Sequence, residues 1–214
     1  MVRNAAVRAE LGAMKDDEAY AALEAYFQQR VALGEEERAA LRRLFRPRHL
    51  RRHELLHPAG EVARHGVFVL RGCLRAYVVD AAGKEHILQF APEQWWISEQ
   101  HSLQHHTPAL FAIDAVEDSD VLLFDTLYFL HPGLPGLQAP ELGLASLHNR
   151  IYAMQKRLVL LLSAPARTRY LDFLDTYPTL ARRLPQKLIA AYLGITPESL
   201  SRVRHELAQP RAEP

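Results

Sequence analysis

Hydrophobic residues near the N-terminus recur at helical spacing. Tyr20, Leu23 and Phe27 are three and four residues apart, which places them on one face of a helix. Gly34 ends this pattern, and three consecutive glutamates then open a second helix, where acidic side chains are favourable. The inner face of the second helix is predicted to consist of Ala40, Leu41, Leu44 and Phe45.

The pattern changes after residue 45, where short runs rich in Val, Ile, Leu and Tyr alternate with turn signals. Regular strand-and-turn spacing of this kind is typical of an all-β sandwich or barrel. The clearest hairpin is predicted from Val67 to Phe90, with its turn at Asp80-Ala-Ala-Gly83. The sequence therefore predicts a β domain over residues 46–132.

A long helix is predicted over residues 141–164, after a break rich in proline and glycine. Its apolar residues form two rows that each repeat every seven positions, as in a coiled-coil seam. The seam residues are Leu144, Leu147, Ile151, Met154, Leu158 and Leu161. The helix either joins two chains or packs on its own β domain. We favour the dimer, because Leu160 and Leu162 leave other apolar surface for contact within the chain.

The C-terminal stretch has the residue pattern of a helix–turn–helix. Ala190 is small where two helices would cross, and Gly194 occupies the turn, where a positive φ is needed. Thr196 is a helix N-cap, and Pro197 follows it in the first turn. The apolar positions that hold the two helices together are Ile189, Leu193, Ile195, Leu200, Val203 and Leu207.

The second helix of this pattern leaves its opposite face exposed. Glu198 and Arg202 are four residues apart near the start of the helix. In a DNA major groove, Arg202 would face guanine and Glu198 would face cytosine, and Ser201 and His205 share this base-reading face. Phosphate contacts, which position a protein without reading sequence, are assigned to Gln186, Lys187, Ser199 and Arg204.

Charge is segregated along the 214 residues, although the net charge is only +1. Residues 1–84 carry a charge of +4, residues 85–149 carry −9 with no Lys or Arg, and residues 150–214 carry +6. A basic C-terminal module suggests a polyanionic partner, and a solvated basic face is the alternative.

Composition excludes several classes of protein. The single cysteine, Cys73, excludes a disulfide framework and any four-cysteine zinc or iron–sulfur site within one chain. No apolar run approaches the roughly 18 residues of a membrane span, and the N-terminus lacks the apolar core of a secretory signal. We therefore expect a cytoplasmic protein with no membrane partner.

Taken together, these motifs resemble the cyclic-AMP receptor/fumarate-nitrate regulator (Crp/Fnr) family of bacterial transcription regulators over nearly the whole chain. Gly-Ile-Thr-Pro-Glu-Ser-Leu-Ser-Arg-Val (194–203) matches the family's turn and recognition helix. Pro58-Ala-Gly-Glu61 and Leu70-Arg-Gly-Cys-Leu-Arg75 are similar to the early strands of its jelly-roll sensor domain. The resemblance implies that Glu198 and Arg202 read bases and that Ser199 contacts phosphate.

The resemblance implies an α+β fold with an N-terminal, cyclic-nucleotide-binding-like jelly roll, a long dimerisation helix and a C-terminal helix-turn-helix domain. The corresponding segments are 1–45 (N-terminal helices), 46–132 (sensor domain), 141–164 (dimerisation helix) and 165–214 (DNA-binding domain). The implied function is sequence-specific transcription regulation by a homodimer that is not an enzyme. Its implied partners are double-stranded DNA and RNA polymerase.

The nucleotide pocket departs from the family pattern, which uses a glycine–glutamate pair for the ribose and an arginine followed by serine or threonine for the phosphate. Glu99 matches that glutamate loosely, but residues 85–149 contain no arginine. Burying an unpaired phosphate costs several kcal/mol or more. We therefore expect no cofactor and no response to cyclic AMP. Trp96, Glu99 and Thr107 remain a candidate pocket for an unknown small-molecule effector.

A second function class is a jelly-roll protein of the cupin kind that binds a metal or a small molecule. His101, His105 and His106 lie close to Glu99 and offer metal-ligating nitrogens, although such histidines are more often surface groups. The chain lacks the cupin pair His-x-His with a following glutamate, so we expect no metal. Cys73 is predicted to be a buried hydrophobic residue.

Overall fold

The computed structural model describes residues 13–29, 31–125 and 140–208, and over 140–147 it describes the backbone only. By their contacts, the described residues form two compact units, one of 13–76 with 90–125 and one of 77–89 with 140–208. Among these residues, no helix combines the length and the apolar character that crossing a membrane requires.

The two predicted N-terminal helices are present as α1 (Asp16–Gln28) and α2 (Glu35–Leu44). The amide of Gly34 donates a hydrogen bond to the carboxylate of Glu37 over 2.9 Å, which satisfies one free amide at the start of α2. The prediction that Phe45 ends the inner face of this helix is wrong. The backbone is extended at Phe45, because this residue pairs with Phe124 in a sheet.

Within the described residues, eight strands follow: β1 (Phe45–Leu50), β2 (Leu55–His57), β3 (Gly66–Arg71), β4 (Leu74–Val79), β5 (Glu85–Ala91), β6 (Trp96–Ile97), β7 (Ala112–Ala115) and β8 (Ser119–Phe124). They form two four-stranded sheets in the orders β1-β8-β3-β6 and β2-β7-β4-β5. The pairs β1–β8, β3–β8, β3–β6 and β2–β7 are antiparallel. The two sheets form the β domain that the sequence predicts, and they agree with the jelly roll that the resemblance implies. A short helix, α3 (Gln100–His105), lies between β6 and β7.

The predicted hairpin from Val67 to Phe90 is correct only in its second half. Strands β4 and β5 are neighbours around the predicted turn, whereas β3 belongs to the other sheet. The chain changes sheets at Gly72, whose φ is +99°. A Cβ atom at this position would lie 2.3 Å from the Ser119 hydroxyl oxygen, so glycine is required.

Strands β3 and β8 are buried on both faces, which explains their continuous apolar sequence. Val67 and Val69 point into the core of the jelly roll, while Phe68, between them, packs towards the N-terminal helices. The core contains Leu50, Val67, Val69, Leu74, Ala76, Ala91, Ile97, Ile113, Ala115, Val121 and Leu123. The outer layer contains Ala19, Leu23, Phe27, Leu33, Leu41, Phe45, Phe68, Leu122 and Phe124.

A bidentate ion pair joins two strands of the second sheet. Arg75 Nε lies 2.7 Å from Asp114 Oδ1, and Arg75 Nη2 lies 2.9 Å from Asp114 Oδ2. Each side chain is only 8% exposed. The two charges therefore depend on each other, because little water reaches either of them.

The second unit contains five helices in its described residues: α4 (Pro140–Ser163), α5 (Ala166–Thr176), α6 (Leu180–Arg183), α7 (Gln186–Leu193) and α8 (Pro197–Ala208). Helix α4 coincides with the predicted helix 141–164 to within one residue at each end. Arg157 of α4 is half-buried, and Lys156 forms an ion pair with Asp172 of α5 over 2.5 Å. This side of α4 therefore contacts its own unit.

The remaining side of α4 is apolar and exposed. Its exposed apolar side chains are between 38% and 79% accessible: Ile151, Tyr152, Met154, Leu158, Val159, Leu161 and Leu162. Four predicted seam residues belong to this face, and the side chains of Leu144 and Leu147 lie outside the described residues. The expectation that Leu162 contacts its own chain is wrong, because Leu162 is 79% exposed. The apolar face is thus wider than the two predicted rows.

Candidate nucleic-acid interface

The turn between α7 and α8 has the predicted features. Gly194 adopts the left-handed conformation with φ +65°. The amide of Ile195 donates to the carbonyl of Ala190 over 3.0 Å, which closes the end of α7. The hydroxyl of Thr196 accepts a hydrogen bond from the amide of Ser199 over 3.2 Å, so Thr196 caps α8 as predicted.

Apolar side chains hold the two helices in place, as the sequence predicts. Ala190 is 1% exposed, which lets the helices approach closely. The other buried members are Ile189, Leu193, Leu200 and Val203. Ile195 and Leu207 are half-buried. The buried side of α8 therefore fixes which side faces solvent.

The opposite side of α8 carries the four base-reading candidates. Glu198, Ser201, Arg202 and His205 are all exposed. Their spacing of three, four and seven residues places them on one face of the helix. The structure therefore brings the predicted residues together on one accessible surface.

Local hydrogen bonds stabilise the charged form of Glu198. Its own backbone amide and the Thr196 hydroxyl lower the pKa of Glu198 below the ordinary value, and the charge of Arg202 lowers it further. Glu198 is therefore an anion at neutral pH, so its carboxylate is an acceptor only. This is the form that a cytosine amino group requires.

The four candidate phosphate-contacting residues differ in their exposure to solvent. Gln186 and Lys187 are exposed in the first turn of α7. Ser199 and Arg204 are half-buried, and the hydroxyl oxygens of Ser199 and Thr196 lie 3.2 Å apart, within hydrogen-bond distance. Lys187 is thus the clearest basic candidate for a phosphate contact.

Two arginines that support α7 were not found from the sequence. Arg157 donates to the carbonyls of Tyr192 (2.9 Å) and Ile87 (2.7 Å), and its guanidinium carbon lies 3.8 Å from the centre of the Tyr192 ring. Arg169 donates to the carbonyl of Leu193 over 2.6 Å. Cations are favourable at these C-terminal carbonyls. The sequence signal that could have identified them is an arginine within an apolar helical stretch. A count of charged residues does not distinguish such an arginine from one on the surface.

The candidate ligand pocket of Trp96, Glu99 and Thr107 stays a prediction. Trp96 lies against Phe68, with ring centres 4.6 Å apart. Glu99 is buried and caps α3 by accepting a hydrogen bond from the Ser102 amide over 2.5 Å. The Ser102 hydroxyl in turn donates to the Thr107 carbonyl. Glu99 therefore already has a local structural role.

Across the described part of the chain, no group of three or more histidine, cysteine, aspartate or glutamate side chains is arranged to hold a metal ion. His101, His105 and His106 are all exposed, with the rings of His101 and His105 4.6 Å apart. Cys73 is fully buried, which confirms the prediction for this residue.

Comparisons with known proteins identify the fold. No protein-family model and no curated protein sequence matches the chain. The structure of FixK2 from Bradyrhizobium japonicum matches with a TM-score of 0.64 at 21% identity, over 77% of this chain and 84% of that one. The c-di-GMP responsive global regulator CLP from Xanthomonas campestris matches with a TM-score of 0.61 at 13% identity, over 77% and 87% of the two chains.

A mutant of CooA from Carboxydothermus hydrogenoformans matches with a TM-score of 0.59 at 20% identity, over 76% of each chain. These identities are low, so the likeness concerns the fold. The chain has the fold of the Crp/Fnr regulators.

Proposed function

We propose that this protein is a sequence-specific DNA-binding transcription regulator that acts as a homodimer. The observation that carries the proposal is the two-sided character of α8. Leu200 and Val203 are buried, while Glu198 and Arg202 are exposed on the other side. A helix held in this way presents charged side chains to the base edges of a major groove.

Each residue of the exposed face has a definite task in this proposal. Arg202 donates two hydrogen bonds to O6 and N7 of a guanine, and the ionised Glu198 accepts one from N4 of a cytosine. Ser201 and His205 read neighbouring base edges. Lys187 and the exposed start of α7 contact phosphates, which set the register of α8 on the duplex.

The homodimer is supported by the exposed apolar face of α4. Ile151, Met154, Leu158 and Leu161 continue the seven-residue repeat and are exposed in the single chain. Pairing two copies along this face removes that apolar surface from water. The two copies of α8 then bind half-sites about 34 Å apart in a pseudo-palindrome.

Cyclic AMP is not the effector in this proposal. The stretch 85–149 has no lysine or arginine to accompany a cyclic phosphate, and Glu99 is used as a helix cap. The dimer either responds to an effector that is not a cyclic nucleotide or has no effector. RNA polymerase is the downstream partner of the regulator. Calorimetry with cyclic AMP and cyclic GMP is expected to give no binding heat, and micromolar affinity for either would contradict this point.

The direct test of the proposal is selection of bound duplexes from a random pool, followed by sequencing. We expect recovery of a pseudo-palindrome with half-sites one helical turn apart. Recovery of no preferred sequence, together with equal retention of single-stranded and duplex DNA, would refute sequence-specific regulation.

Two substitutions are expected to separate base reading from phosphate contact. Arg202→Ala should cost about 1–3 kcal/mol on the selected duplex and relax the preference at one base position, because its hydrogen bonds go to a base. Lys187→Ala should weaken binding to all sequences alike and lower the salt slope by about 1, because its partner is a phosphate. Mobility shifts on selected and random duplexes measure both. Equal losses on the two duplexes for Arg202→Ala would exclude its role as a base reader.

A further inference from the structure

Arg157 lies at a point where three segments of the second unit meet. From α4, its nitrogen Nη2 donates to the carbonyl of Ile87 in β5 over 2.7 Å and to the carbonyl of Tyr192 in α7 over 2.9 Å. The guanidinium carbon lies 3.8 Å from the centre of the Tyr192 ring. Both hydrogens of Nη2 therefore have an acceptor, and the ring supports the plane of the guanidinium.

No carboxylate compensates the charge of Arg157. With the described residues it forms no ion pair, since the carboxylate of Asp172 pairs with Lys156 instead. Arg157 Nε is buried without a hydrogen-bond partner there, and burial lowers the pKa of the guanidinium below its ordinary value. Arginine nevertheless keeps its charge in proteins. The cation is therefore held by two backbone carbonyls and an aromatic ring, and in return it fixes their positions.

The end of α7 determines where α8 lies. Tyr192 and Leu193 are the last two residues of α7, and three residues, 194–196, separate them from α8. Arg157 of α4 binds the carbonyl of Tyr192, and Arg169 of α5 binds the carbonyl of Leu193 over 2.6 Å. Because the turn is short, a displacement of this end of α7 moves α8 with it.

The same turn of α4 carries the proposed dimer seam. Arg157 directly precedes Leu158, and Leu161 follows one turn later; both leucines are exposed seam residues. A regular helix fixes the relative positions of residues within one turn. Arg157 therefore connects the end of α7 to the part of α4 that would contact the second copy.

We propose that Arg157 is a positioning residue that sets the spacing between the two half-sites read by the dimer. The proposal rests on the DNA-binding homodimer proposed above. In that dimer, the distance between the two copies of α8 depends on how each α7 is held against α4. One added base pair moves a half-site by about 3.4 Å and rotates it by roughly 35°. Without the contacts of Arg157, the two reading helices would tolerate such a change.

The test compares full-length variants that differ at the two arginines. Arg157→Met removes the hydrogen bonds and the charge, and Arg157→Lys keeps the charge without the planar guanidinium. The matched control is Arg169→Met, which removes a guanidinium from the same end of α7 but from α5, outside the proposed seam. Thermal unfolding and sedimentation check the fold and the dimer of each variant.

Affinity is measured on the selected pseudo-palindrome and on two duplexes whose central spacer is one base pair shorter or longer. The wild type should prefer the selected spacing by about 10-fold or more, because both half-sites can be bound together only at that spacing. For Arg157→Met, we expect the three affinities to lie within about threefold of each other. Arg157→Lys should show an intermediate preference. Arg169→Met should keep the wild-type preference, even where its affinity is lower on all three duplexes.

The possible failures are distinguishable. If the wild type shows no sequence-specific binding to any of the duplexes, the proposed function fails, and this inference fails with it. If the wild type prefers one spacing and folded, dimeric Arg157→Met keeps that preference, only the positioning role is wrong. A uniform loss of affinity on all three duplexes would likewise overturn it and leave Arg157 with a purely stabilising role. If Arg157→Met does not fold, Arg157→Lys decides, and an unchanged preference in that variant overturns the proposal.

Discussion

Replacing Arg75 with methionine is expected to destabilise the first unit, which contains residues 13–76 and 90–125, by about 3–5 kcal/mol. The substitution leaves the Asp114 carboxylate buried without its bidentate partner, since each side chain of the pair is only 8% exposed. Urea unfolding followed by tryptophan fluorescence measures the effect. Trp95 and Trp96 are the two tryptophans of the chain, and both lie in this unit.

Two further variants define what the loss means. The double variant Arg75→Met/Asp114→Leu removes both charges and should recover most of the stability, because no unpaired ion remains. Arg48→Met breaks the exposed ion pair with Glu54 and should cost less than about 1 kcal/mol. A loss below 1 kcal/mol for Arg75→Met, or no recovery in the double variant, would contradict the expected role of burial.

The second large effect is expected at the exposed face of α4. Leu158→Asp places two carboxylates opposite each other in the proposed seam, where charge is unfavourable. The protein should sediment as a monomer at micromolar concentration. Its affinity for the selected pseudo-palindrome should fall by about 100-fold or more, because the two reading helices are no longer linked.

The matched control for this substitution is Ala153→Asp. Ala153 is exposed on the same helix but lies outside the two seam rows. This variant should remain a dimer and bind the pseudo-palindrome like the wild type. A dimeric Leu158→Asp protein with unchanged affinity for the pseudo-palindrome would show that the seam lies elsewhere. Both variants, Leu158→Asp and Ala153→Asp, should bind a single half-site with wild-type affinity.

Local sequence rules were sufficient for the helix pair of the second unit. The conformation of Gly194, the cap at Thr196 and the buried positions of Leu200 and Val203 each depend on neighbours within a few residues. Short-range spacing therefore determines them, and the exposed side of α8 follows. The same reasoning gave α1, α2 and α4 to within a few residues.

Sheet membership could not be predicted in the same way. The alternation of apolar and polar residues along a strand indicates which side chains share a face, but it does not indicate which sheet the strand joins. The sequence predicts one hairpin from Val67 to Phe90, although the chain changes sheets between β3 and β4 at Gly72, where its backbone lies close to Ser119. That contact joins residues 47 positions apart, beyond any local pattern.

The roles of two charged side chains could not be predicted, because they depend on tertiary contacts. Arg157 was counted as basic surface, but it binds two backbone carbonyls. Glu99 was considered for a ligand, and its carboxylate instead caps a short helix. In each case the partner is set by tertiary contacts.

Strands β3 and β8 are apolar on both faces, and this limits how the protein can be shortened. Helices α1 and α2 cover Phe68, Leu122 and Phe124, the side chains on the outer face. A fragment that starts at β1 would expose these apolar side chains to water and would be prone to self-association. A separately expressed fragment of the first unit therefore has to begin upstream of Asp16, because α1 and α2 belong to the same folding unit.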